Sequence, residues 1–195
     1  MPDTEVDTRQ HILDTAQRLM AQKGYTAVGL NEVLTEAKVP KGSFYYYFSS
    51  KEAFGEALMK SYFADYLASM SSIAGNASTT GAEQLQEYWR RFYDLQSYDD
   101  CQGKCLVVKL AAEVSDLSEP MRLQLVEGTA GIIDHLERMI LTGKQDGSLA
   151  VDDEPRVLAQ ELYESWLGAS IIAKVQRTPE ALRRAQRLTA ARLHY

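Results

Sequence analysis

Two short stretches concentrate the side chains able to do chemistry. Residues 40–52 read PKGSFYYYFSSKE, three adjacent tyrosines between two phenylalanines with no acid before the last position. Residues 99–116 read DDCQGKCLVVKLAAEVSD and hold both cysteines of the chain, Cys101 and Cys105, beside Lys104 and Lys109. The first stretch supplies phenols, hydroxyls and ammonium groups, the donors that recognise an anionic polymer. The second supplies thiols, whose thiolate form is a nucleophile and a redox centre. Neighbouring helix positions point about 100° apart, so Tyr45, Tyr46 and Tyr47 cannot all enter one core. At least one phenol must face outward.

The chain that positions them has 195 residues, 45% apolar and 25% charged, which suits one or two small globular domains. Its formal net charge of −6 argues against coating DNA or a membrane with the whole surface, so an anionic partner must be met by a local patch. From Ala37 through Lys51 there are three lysines and no acid. The start, MPDTEVDTRQ, lacks the basic beginning and apolar run of a secretory signal, and no stretch approaches the roughly 18 apolar residues of a membrane span. A cytoplasmic protein with free thiols and no membrane partner is expected. His11, His135 and His194 are scattered without ligand spacing, so neither a metal nor a cofactor is expected. With no phosphate loop, nucleophile elbow or paired histidines, an enzyme with Cys105 as nucleophile is the disfavoured reading.

Apolar periodicity predicts an all-α protein. Ile12, Leu13, Ala16, Leu19 and Met20 mark a first helix over 7–23, ended by Gly24. Short helices follow at 30–37 and 41–47, separated by a tight turn with Pro40 at the start of the second. Ser50 is placed to cap a long helix reaching about residue 73. Further helices are predicted at 82–98, 104–117, 120–142, 155–176 and 179–193.

Three short helices with a tight turn between the last two suggest a helix-turn-helix. Residues 24–54, GYTAVGLNEVLTEAKVPKGSFYYYFSSKEAF, resemble the TetR family of transcriptional repressors, and the likeness covers about the first 60 residues. Projected on a helix, Phe44 and Phe48 lie opposite Gly42, Ser43 and Tyr46, with Tyr45 and Tyr47 on the flanks. The resemblance implies that Lys41, Gly42, Ser43 and Tyr45 meet the groove of double-stranded operator DNA, while Tyr46, Tyr47 and Lys51 meet phosphates. Two departures stand out: Val28 and Gly29 replace the capping Thr or Ser frequent before the second helix, and Tyr47 replaces a frequent histidine. The competing reading of FYYYF is a plain aromatic core helix. On the family pattern, residues 1–52 form the DNA-binding domain and 53–195 a helical regulatory and dimerisation domain.

Val157, Leu158, Leu162, Trp166 and Ile172, with Leu182, Ala185, Leu188 and Leu193, give the last two helices apolar stripes suited to pairing in a homodimer. Residues 99–116 further resemble the cysteine segment of NemR-like TetR repressors, a subgroup that senses electrophiles and oxidants. On that resemblance Cys105 is the sensor. It lies at a predicted helix start beside lysines, and both features favour a thiolate. Lys174 sits on a face with Trp166, Leu167, Ser170 and Ile171, where a cation needs water or an anionic partner such as Cys105 or Glu113. The bland alternatives are a buried Cys105 and a Lys174 that reaches solvent. A repressor with a noncovalent hydrophobic inducer among Tyr88, Trp89, Phe92, Tyr93 and Trp166 is the second regulatory reading.

Overall fold

The short helices end where local chemistry ends them. In the computed structural model, which describes residues 3–103 and 105–194, every regular element is a helix. Helix α1 (Asp3–Lys23) stops at Gly24, whose φ of +96° carries the chain away while its N–H bonds to Met20 O at 2.9 Å. Helix α2 (Leu30–Ala37) starts at Gly29 with no side-chain cap, as the Val28–Gly29 departure implies. It ends at left-handed Lys38, whose N–H serves Leu34 O and Thr35 O. Pro40, in an extended conformation, caps α3 (Lys41–Tyr47). Phe48 leaves the helix at φ −133°, and Ser50 Oγ accepts from Ala53 N–H at 3.0 Å to open α4 (Lys51–Ala74).

Later come α5 (Gly81–Cys101), α6 (Leu106–Leu117), α7 (Glu119–Asp146), α8 (Pro155–Gln176) and α9 (Glu180–Leu193). Helix α7 outruns the predicted end at 142 because Gly143 does not break it. A Cβ on Gly81 would lie 2.1 Å from Gly143 N, so two bare glycines let α7 pass against the start of α5. Asp146 then accepts from Gly81 N–H at 2.8 Å, and Ser148 Oγ accepts from Ala82 N–H at 3.1 Å. The overrun therefore caps α5.

The chain divides into two compact units, residues 1–64 with 104–128 and residues 65–103 with 129–195. In the first, α1 packs on α2 and α6, and α2 on α3, around fully buried Ile12, Leu13, Ala16, Phe44, Leu58 and Met59. In the second, α8 packs on α9 and α5. Trp166 is its centre: the ring stacks on Trp89 with centroids 5.0 Å apart, and its Nε1–H donates to Thr189 Oγ1 at 2.8 Å. Tyr88, Trp89, Phe92 and Trp166 are thus core side chains, while Tyr93 is half-buried. Helix α5 loses regularity at Tyr98, and Asp99, Asp100 and Cys101 all hold positive φ (49°, 51° and 61°). A left-handed run without glycine costs on the order of 1–2 kcal/mol per residue. The fold holds it partly through the burial of Cys101.

Candidate nucleic-acid interface and thiol site

Phe44 decides which way the tyrosines point. Its ring is wholly buried against Phe48 and Phe54, with centroids 5.1 and 5.2 Å away, so α3 is pinned by its inner edge to the start of α4. Tyr46 projects outward at 69% exposure and Tyr45 at 55%. Tyr47 and Ser43 are half-buried, and Lys41, Gly42 and Lys51 are exposed. The aromatic-core reading of FYYYF thus fits the two phenylalanines alone. Lys51 Nζ lies 5.1 Å from the Tyr25 ring centroid, and Tyr25 Oη donates to Lys51 O at 3.3 Å.

The face extends further than sequence reasoning placed it. A concave surface of about 430 Å³ runs between α2 and α3, lined by Asn31, Leu34, Thr35, Lys38, Val39, Pro40 and Lys41. Exposed Asn31, Thr35 and Lys38 add donors beside Lys41. The spacing of Asn31, Thr35 and Lys38 at i, i+4 and i+7 on α2 and its cap was the available signal, eclipsed by the aromatic run.

Helix α6 is bonded to this part of the molecule at three places. Glu113 accepts from Tyr25 N–H at 3.0 Å, from Thr26 N–H at 2.7 Å and, at short range, from the Thr26 hydroxyl. Ser118 Oγ donates to Glu52 Oε1 at 3.1 Å. At the other end Cys105 is the N-cap residue, and its Sγ hydrogen-bonds Tyr62 Oη on α4 at 3.5 Å. Glu113 entered the sequence reading only as a possible partner for Lys174. Its contacts with residues 87 and 88 positions earlier leave no local pattern.

Burial works to raise the Glu113 carboxyl, but the Thr26 hydroxyl, the N–H groups of Thr26 and Tyr25, and Lys109 together hold it below its ordinary value. A depressed carboxylate stabilises the fold above its unfolded value, near 4.3, and that contribution is lost as pH falls through the folded value. Glu113→Gln is expected to destabilise the protein by about 1–2 kcal/mol at pH 7, allowing for partial exposure. The gap from the parent should narrow below about pH 4, read by urea unfolding across pH. A gap that is constant with pH rejects the charged latch.

The two thiols differ in surroundings. Cys105, the sensor on the family resemblance, is only 2% exposed, because packing around the start of α6 and the Tyr62 side chain covers it. Lys109 turns toward Gly24 and Glu113, and Lys104 lies outside the described residues. Cys101 is buried too, and burial pushes its thiol up. Asp100 adds to that rise and Lys174 opposes it. Cys101 closes α5 and Cys105 precedes α6, so the pair does not share one helix. Lys174 is half-buried on α8, beside buried Ser170 and Ala173.

Comparison with known proteins places this arrangement. The model for the tetracyclin repressor-like C-terminal domain matches residues 81–189, more than half of the chain, and that for bacterial regulatory proteins of the tetR family matches residues 12–58. The chain belongs to the TetR family. This TetR-family chain is 40% identical over 182 residues to the HTH-type transcriptional repressor NemR of Escherichia coli K12, spanning 93% of this chain and 92% of that protein. It is 33% identical over 174 residues to the HTH-type transcriptional repressor DhaR of Mycobacterium sp. strain GP1, spanning 89% and 86%. A crystal structure of E. coli NemR in its reduced form superposes with a TM-score of 0.89, covering 95% of this chain and 96% of that one. The helix-turn-helix and the all-helical architecture expected from sequence are therefore those of a TetR-type transcriptional regulator. Among the described residues no helix is long and apolar enough to cross a membrane.

Proposed function

We propose that this TetR-family protein is a cytoplasmic repressor that holds operator DNA as a two-fold dimer and releases it when an electrophile or oxidant modifies Cys105. Residues 1–52 read DNA through Lys41, Gly42, Ser43, Tyr45, Tyr46, Tyr47 and Lys51, and residues 53–195 regulate and dimerise. The observation that carries the reading is the place of Cys105. It begins α6, the helix whose Glu113 is bonded to the α1–α2 turn, so a bulky or charged group on the sulfur strains an element tied to the DNA-reading helices. That E. coli NemR is described in a reduced form supports a redox-active group in that relative. An oxidised Cys105 sulfenic acid would condense with a thiol or an amine, losing water.

To release DNA, modification must favour the incompetent state by roughly 3 kcal/mol, since each tenfold population change takes about 1.4. Cys105→Ser is expected to bind operator as the parent does and to ignore N-ethylmaleimide. Cys101→Ser should respond nearly normally, because Cys101 sits on the left-handed end of α5 and is not the residue that starts α6, the helix bonded to the α1–α2 turn. Operator binding by fluorescence anisotropy, with and without the reagent, reads both. Release of Cys105→Ser at the parent's dose overturns the cysteine reading.

One observation favours a noncovalent inducer as the second reading. An apolar cavity of about 290 Å³ lies between α4 and α5, lined by Tyr66, Ser69, Met70, Ile73, Tyr88, Arg91, Phe92 and Leu95. It takes in two of the five aromatic residues expected to hold such a ligand.

A further inference from the structure

Resting on the cysteine-sensor reading, we infer that Tyr62 is the positioning residue of the sensor: its phenol O–H donates to the Cys105 thiolate and so ties α6 to α4 until the sulfur is modified. Two observations carry this. Tyr62 Oη and Cys105 Sγ stand 3.5 Å apart, hydrogen-bond distance for sulfur, across 43 residues of chain. Cys105 is 2% exposed, so a thiolate there is cut off from bulk water and depends on protein donors. Tyr62 supplies one such donor, and the free N–H groups of the first turn of α6 face the same end of the helix. A charged acceptor makes the phenol hydrogen bond strong, whereas a thioether sulfur is a weak acceptor.

The site of Tyr62 gives the bond a consequence. Three residues separate the end of α3 from the start of α4, whose Phe54 holds both Phe44 and Phe48. Tyr62 lies two turns beyond Phe54 on this same helix. With a maleimide, the thiolate sulfur forms a bond to the β-carbon, the alkene π pair moves to the carbonyl oxygen as an enolate, and the enolate takes a proton from water. The sulfur ends neutral and alkylated, the phenol loses its anionic acceptor, and the added ring occupies space that Tyr62 had closed. The tie between α6 and the helix carrying the recognition element is broken in the same step.

The test is the pH profile of Cys105 alkylation by N-ethylmaleimide, followed by mass spectrometry in a Cys101→Ser background, with and without Tyr62→Phe. Phenylalanine keeps the ring and removes only the O–H. The variant should remain folded, bind operator more weakly than its parent because it already lacks the tie, and react about tenfold more slowly at pH 7. Its profile should move about one unit toward higher pH, and the rates should converge in alkali, where the thiolate forms without help. The dose releasing operator at pH 7 should rise by a similar factor. A profile that superposes on the parent's, or moves to lower pH because the phenol had been accepting from the thiol, overturns the assignment. An equal fall in rate at every pH marks a packing effect and overturns it too. These outcomes differ from failure of the sensor reading itself, in which Cys105→Ser is still released by the reagent.

Discussion

Replacing Tyr46 and Lys51 together by alanine is expected to weaken operator binding by about 10²- to 10³-fold near 150 mM salt, leaving helical content unchanged. Tyr46 is the most exposed ring of α3 and contributes little to the core, whereas the helix is fixed by Phe44 on its opposite side. Truncating it should therefore cost contacts and not fold. Lys51 is exposed, and its ammonium group lies over the Tyr25 ring. Its removal forfeits about 0.5–1 kcal/mol of cation–π attraction, too little to unfold a domain. In a two-fold complex each substitution acts in both half-sites, so two lysine–phosphate contacts disappear. The slope of log affinity against log salt should then fall by nearly 2 in magnitude, at about 0.9 per phosphate. Titrations at several salt concentrations read slope and affinity together. A folded double variant with unchanged affinity removes α3 from the interface.

That prediction stands on residues legible in the sequence, and the reason is local. The limits of α2 and α3 at Leu30–Ala37 and Lys41–Tyr47 are set by Gly29, the turn before Pro40 and the break at Phe48, all within a few residues of the ends they fix. The 100° step likewise separates Phe44 from Tyr46 on the sequence alone. The thiol site was legible only in part. A helix start at Cys105 is a local property, but its burial and its Tyr62 partner come from packing between segments 43 residues apart. Lys174 illustrates the same limit: its field acts on Cys101, a thiol the sequence reading left aside, because the kink after Ser97 carries Cys101 off the helical path. Periodicity also cannot say which of two apolar stripes meets the rest of its own chain. Leu158, Leu162 and Trp166 of α8, and Leu182, Ala185 and Leu193 of α9, are buried within the chain. The apolar side chains left over form a different face.

That leftover face supplies the second large effect: Ile172→Glu with Val175→Glu is expected to abolish the dimer and operator binding together. Val157, Ile171, Ile172 and Val175 on α8 and Leu188 on α9 are between 44% and 75% exposed in the single chain. Outward apolar residues concentrated on the last two helices are what a second copy would cover, and a two-fold axis uses every one of them twice. Fully burying a Val or Ile side chain is worth about 1.5–3 kcal/mol, so these residues alone can supply a stable association. Two glutamates per protomer put four unpaired carboxylates near the axis. They remove that gain and add the cost of desolvating charge next to like charge. The dimer dissociation constant should rise by at least about 10³-fold, roughly 4 kcal/mol. The substituted side chains are exposed in the monomer, so the fold should survive, which circular dichroism checks. Operator affinity should collapse in parallel, because one recognition helix reads too few bases and spans no second half-site. Multi-angle light scattering and anisotropy on the same sample settle the matter. A variant that stays dimeric moves the interface elsewhere, and a monomer that still binds operator tightly rejects two-fold recognition.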